Sequence, residues 1–114
     1  KLGAGVYLGP CAVVSSHAVI DPHAIIHIHV SIGHDSHIGR YSAILPGARI
    51  SGNVSVGERT LVGSNAFVNA GIKLGNDCRI DALSYVRDSL PDGYVVSPRF
   101  PRPLPRFDLR LASE

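Results

Sequence analysis

Fifteen aliphatic residues stand on a strict six-residue spacing: Leu2, Leu8, Val14, Ile20, Ile26, Ile32, Ile38, Ile44, Ile50, Val56, Val62, Val68, Leu74, Ile80 and Val86. A helix repeats near 3.6 residues and a half-buried strand at two, so a sustained six marks an internal repeat. When each hexad is numbered from its aliphatic residue, position five is small or β-branched: Val6, Ala12, Ala18, Ala24, Val30, Ser36, Ser42, Ala48, Val54, Thr60, Ala66, Cys78 and Ser84. Positions one and five are expected to point inward from a short flat strand, the large side chain filling the interior and the small one leaving it room. Position two is often glycine (Gly3, Gly9, Gly33, Gly39, Gly57, Gly63, Gly75), with Asp21, Asn69 and Asp81 in its place elsewhere. Glycine and Asx there are expected to supply the backbone angles of a corner.

Three hexads make one triangular turn, so residues 1–87 predict about five coils of a left-handed parallel β-helix, an all-β prism on the order of 24 Å tall. Residues 88–114 leave the pattern. The run Pro98-Arg99-Phe100-Pro101-Arg102-Pro103-Leu104-Pro105-Arg106 predicts an extended, polyproline-like tail. Phe107–Glu114 is expected to add a short strand or one helical turn. The tail carries Arg99, Arg102, Arg106 and Arg110, and is expected to pack along the prism or a neighbouring subunit.

Composition narrows the function classes. The chain is 45% hydrophobic without Met or Trp, which suits thin, regular layers of Val, Ile, Leu and Ala. A net charge of +2 is too small to argue for nucleic acid. No apolar run approaches the ~20 residues of a membrane-spanning helix, and no signal-peptide pattern is present. Cys11 and Cys78 do not form a disulfide framework, so a reduced, cytoplasmic setting is expected. Lys1 stands already in register, as if residues had been trimmed ahead of it. Outward Val13, Val19, Ile25, Leu61 and Phe67 are too apolar for free solvent and predict an interface, with a threefold homotrimer and clefts between subunits as the expected assembly.

Residues eighteen apart stack. Ser16, His34, Gly52 and Ala70 form one column, and His17, Asp35, Asn53 and Gly71 the next. All six histidines (His17, His23, His27, His29, His34, His37) fall on turn or outward positions. Solvated turns, a general base and a metal site are the three readings of such a cluster. His34 stands apart. Asp35 beside it can fix the imidazole tautomer, and the backbone N–H of Gly52, one coil on, can donate to a developing oxyanion. The bland alternative is that Asp35 caps the turn and His34 is solvated.

The segment Ile32-Gly33-His34-Asp35-Ser36-His37-Ile38-Gly39-Arg40-Tyr41, followed by Pro46-Gly47-Ala48 and Ser51-Gly52-Asn53-Val54, resembles the hexapeptide-repeat sugar acetyltransferases. The closest group acts on sialic acid or on UDP-linked 4-amino sugars. The resemblance covers roughly residues 20–87. It implies that His34 is the general base, that Asp35 orients it, and that the Gly52 N–H contacts the thioester carbonyl of acetyl-CoA. It implies that the CoA arm runs down an intersubunit cleft past Ser64, Asn65, Ala70 and Ala82; Lys73 or Arg79 is an electrostatic guess for the CoA phosphates. The chain departs from the family at three points. Ala43 stands where the family has a second histidine, the family's N-terminal βαβ domain has no counterpart in this sequence, and Ser97-Pro98-Arg99 stands near the place of a Gly-Asn-Pro-Ala block.

The leading expectation is an acetyl-CoA-dependent acetyltransferase acting on an amine or hydroxyl of a small acceptor, a sugar or sugar derivative, with no metal. A non-catalytic trimeric binding or assembly module is the second reading. A γ-carbonic-anhydrase-like metalloenzyme is the third: His29 and His34 have its four-residue gap between ligands, but Gly33 stands where its phase requires histidine.

Overall fold

The computed structural model describes residues 1–106; the expectations for Phe107–Glu114, and for Arg110 within it, lie outside the described residues. Three sheets, parallel except for one terminal strand, make the faces of a prism. Face A carries β3 (Val19–Ile20), β6 (His37–Ile38), β9 (Ser55–Val56) and β12 (Lys73–Leu74). Face B carries β1 (Tyr7–Leu8), β4 (Ile25–Ile26), β7 (Ala43–Ile44), β10 (Leu61–Val62), β13 (Arg79–Ile80), β15 (Tyr94–Val96) and β16 (Leu104–Pro105). Face C carries β2 (Val13–Val14), β5 (Ser31–Ile32), β8 (Arg49–Ile50), β11 (Phe67–Val68) and β14 (Tyr85–Val86). Strands pair eighteen residues apart, Ile20 with Ile38 and Ile26 with Ile44, so each residue type lands on its own kind one coil away. This is the left-handed parallel β-helix that the hexads predict.

Positions one and five are the interior. Ile26, Ile32, Ile38, Ile44, Val62 and Val68 are fully buried, with Ala24, Ala48 and Ala66 between them. Position five also holds Ser36, Ser42 and Thr60, each at most 1% exposed. Their hydroxyls are satisfied by the coil below. Ser42 Oγ donates to Gly57 O at 2.6 Å and accepts from Thr60 N–H at 3.0 Å; Thr60 Oγ1 donates to Gly75 O at 2.8 Å and accepts from Cys78 N–H at 3.1 Å. A buried hydroxyl with both roles filled does not pay the desolvation cost of an orphan.

The corners correct the explanation given for glycine. Position four, not position two, is left-handed: from Gly5 through Cys11, His17, His23, His29, Asp35, Tyr41, Gly47, Asn53, Arg59, Asn65, Gly71 and Asp77 to Leu83, every such residue has positive φ. Position-two glycines have no such angle. With the backbone as it stands at these glycines, a Cβ would strike the next coil; at Gly33 it would sit 2.5 Å from Gly52 N, and at Gly9 2.5 Å from Ile28 N, whereas coils with Asp21, Ser51 or Asn69 at this position accommodate one. Histidine, Asn and Asp are enriched among non-glycine residues at positive φ. Backbone conformation therefore accounts for His17, His23 and His29 without any chemistry.

Pairing does not stop at residue 87. Ile80 pairs with Val96, and Leu74 with Leu90, each across sixteen residues rather than eighteen. The final coil is two residues short, which is why counting in sixes loses it. The proline-dense segment then folds back, with β16 antiparallel to β15 and Arg106 N–H donating to Gly93 O at 2.8 Å.

Two outcomes test this packing. Ile44→Ala empties a buried site and is expected to cost about 2–5 kcal/mol in denaturant unfolding. Cys78 is buried and desolvation pushes its thiol pKa up, whereas Cys11 is exposed; a thiol reagent is expected to label Cys11 in the native chain and Cys78 only after unfolding.

Candidate active site

His34 and Asp35 occupy the corner between faces C and A. Asp35 takes the left-handed angle, φ 58°, which turns its side chain back beside its neighbour. Asp35 Oδ2 lies 3.0 Å from His34 Nδ1. A carboxylate is acceptor-only, so this contact requires the proton on Nδ1 and leaves Nε2 as the basic nitrogen. Nε2 lies over Gly52: a Cβ there would overlap Nε2 and sit 2.7 Å from Cε1 and 2.9 Å from Cδ2. The absence of a side chain at residue 52 is thus what leaves room for the ring there.

The column itself is stitched by the backbone. Asp35 N–H donates to Ser16 O at 3.1 Å, Asn53 N–H to His34 O at 2.9 Å and Gly71 N–H to Gly52 O at 3.1 Å. The position-three N–H takes no part in this ladder, which is why Pro10, Pro22 and Pro46 are tolerated at that position. The Gly52 N–H donates to no other described residue. A ring nitrogen able to accept a proton (Nε2) and a residue with a backbone N–H free of other described partners are therefore neighbours on this column. The pair is open: His34 and Asp35 side chains are 59% and 53% exposed.

The other expected residues divide by corner. Ala70 continues the His34–Gly52 column. Ser64, Asn65 and Ala82 lie on a different corner, between faces B and C, so one chain does not bring them to His34. Lys73 projects from face A directly after the His34 corner. Arg79 is on face B, 3.4 Å from Asp81. His29 and His34 lie on different corners, and among the described residues no group of three His, Cys, Asp or Glu side chains could hold a metal ion.

Two features escaped the hexad count. His37, on face A, pairs through Nε2 with Asp21 Oδ2 at 2.7 Å, a second His–carboxylate pair visible only once the strands are stacked. A cleft of about 320 Å³ lies at the C-terminal end, between Tyr85, Arg87 and Asp88 on one side and Phe100 and Arg102 on the other. Asp88 is three coils below His34 in the same column, ~14 Å at one inter-strand spacing per coil. No six-residue signal could reveal this cleft, because one wall comes from the non-repeating segment.

Residues 53–87 match the family model described as the hexapeptide repeat of succinyl-transferase. The GDP-perosamine N-acetyltransferase of Escherichia coli O157:H7 is 27% identical over 71 residues, 62% of this chain and 32% of that protein. The acetyltransferase domain of PglB from Neisseria gonorrhoeae superposes with a TM-score of 0.65 at 24% identity, over 91% of this chain and 54% of that one. A histidine-to-alanine variant of GDP-perosamine N-acetyltransferase from Caulobacter crescentus, solved with CoA and GDP-perosamine, gives 0.60 at 29% identity, over 78% and 52%. This chain folds as a left-handed β-helix whose residues 53–87 match a hexapeptide-repeat model, and it is similar over part of its length to these acyltransferases. It spans about a third of the curated relative's length and about half of each solved chain.

Gly52→Ala tests the stacking directly. Gly52 lacks a positive φ, so the fold is expected to survive, while the new methyl displaces the His34 ring. In spectra of the histidine side chains, His34 is expected to move and His17 to stay.

Proposed function

We propose that the chain is the catalytic β-helix of an acetyl-CoA-dependent acetyltransferase that acylates an amine or hydroxyl of a small acceptor, a sugar or sugar derivative. The observation that carries the reading is the His34 ring, oriented by Asp35, lying over Gly52, whose N–H donates to no other described residue. The relatives named as sugar N-acetyltransferases, one of them solved with CoA and its amino-sugar nucleotide, support both the donor and the acceptor class.

In this mechanism the acceptor nitrogen or oxygen attacks the thioester carbonyl as His34 Nε2 removes its proton. The carbonyl oxygen becomes an oxyanion held by the Gly52 N–H. The C–S bond then breaks, and the departing thiolate takes the proton from the His34 imidazolium. Asp35 stays ionised throughout and stabilises that imidazolium. Below Gly52, Ala70 leaves the column narrow enough for an extended arm. Lys73, beside it, and the cleft with Arg87 and Arg102 offer cations for phosphate and aromatic rings for a base.

Ser64, Asn65 and Ala82 join this site only if a second copy presents its own corner to the first, which fits the trimer expected from the outward apolar residues. Val13, Ile25 and Phe67 are 57%, 40% and 42% exposed, as are Tyr7 and Tyr85 at 52% and 57%. A second copy would also exclude water from the open His34–Asp35 pair.

His34→Ala is expected to lower kcat for acetyl transfer by about 10²–10⁴ with acetyl-CoA binding kept; unchanged turnover would sink the base assignment. Sedimentation is expected to give a trimer that Ile25→Glu or Phe67→Glu breaks down, with activity lost in step.

A further inference from the structure

We propose that Ser36, buried in the interior behind His34, is a positioning residue that aims the Gly52 N–H into the site. This rests on the acetyltransferase reading but concerns a residue that never touches the substrate. Ser36 Oγ donates to Ser51 O at 2.8 Å and accepts from Val54 N–H at 3.1 Å. Ser51 C=O and Gly52 N–H belong to one planar trans peptide, so they point in opposite directions. Holding the carbonyl inward on Ser36 therefore holds the N–H outward, beside the His34 ring. Without that anchor the peptide can rock, and the donor direction rocks with it.

The same device recurs on the corner between faces A and B, where its product can be seen. Ser42 pins Gly57 O, and the following N–H, that of Glu58, projects outward and donates to Asn76 Oδ1 at 2.8 Å. Thr60 pins Gly75 O, and the Asn76 N–H donates to Asp92 Oδ1 at 2.8 Å. In both cases a side-chain oxygen from the next coil fills the place in front of the N–H. At Gly52 the residue one coil on is Ala70, which has no oxygen to offer. The structure thus presents an outward N–H behind a pinned carbonyl three times, and among the described residues only the one at Gly52 has no acceptor. On that corner, position five is Ala18, Ser36, Val54 and Ile72, so the only hydroxyl among them stands immediately behind the Gly52 peptide.

The test compares equivalent deletions at two corners, in the intact chain, with acetyl-CoA and GDP-perosamine as substrates. Ser36→Ala and Ser42→Ala each remove a buried hydroxyl bonded to one backbone carbonyl and one backbone N–H of the next coil, so similar drops in melting temperature are expected. Only Ser36→Ala is expected to lower kcat, by about tenfold, with the acetyl-CoA dissociation constant unchanged. Ser36→Thr restores the donor, as Thr60 does naturally, and is expected to keep kcat. If Ser36→Ala fails to fold, Ser36→Cys supplies a weak donor of the kind Cys78 offers Pro91 O, and kcat is expected between the two. Equal kcat in the Ser36→Ala and Ser42→Ala chains, or equal losses in Ser36→Thr and Ser36→Ala, overturns the inference while the acetyltransferase reading stands. A wild-type chain with no acetyl transfer overturns both.

Discussion

A backbone that must lie one hydrogen-bond spacing above its own next turn leaves little room for atoms directed along the prism axis. Close approaches occur at Gly33, Gly39, Gly57 and Gly63, where a Cβ would meet the adjacent coil's peptide. The same spacing confines large side chains to two directions, into the core or straight out from a face. Every position then repeats in environment after eighteen residues, and chemistry can only be built by stacking unlike residues in one column. His34 over Gly52 is such a stack, possible because a ring fits where a side chain is missing.

The interior shows how polar groups enter without penalty. Ser36, Ser42 and Thr60 replace aliphatic volume by hydroxyls that bridge a carbonyl and an N–H of the coil below. Such bridges orient peptide planes, which aliphatic side chains cannot do. The outer corners are held differently, by exposed ion pairs such as Arg59 with Asp77 at 2.9 Å, each shifted toward its charged form by the other. Exposed pairs of this kind contribute little to stability, so the coil ladder and the core carry the fold.

Much of this was legible in the residues, because the repeat is a coordinate system. The interior list, the coil count and the His34–Gly52 column all follow from counting in sixes and eighteens. The physical role of the position-two glycines was not legible: corner angles and axial clashes both favour glycine, and only the measured φ values separate them. Tyr41, Arg59 and Leu83 at left-handed corners carry no sequence signal at all, since the ladder imposes the angle on whatever residue arrives. The His37–Asp21 pair joins residues sixteen apart across two coils, and the C-terminal cleft depends on a coil that breaks the count. Grouping the expected CoA residues by corner shows that they form two sets, which a linear motif cannot convey.

Because each turn rises by one strand spacing, the separation between the His34 corner and the C-terminal cleft is quantised. Inserting or excising eighteen residues between them would lengthen or shorten that span by a single step while preserving every stacking partner above and below. A solenoid of this type is a ruler whose graduations are written in the chain, and the reach between its two ends can be reset without redesigning either.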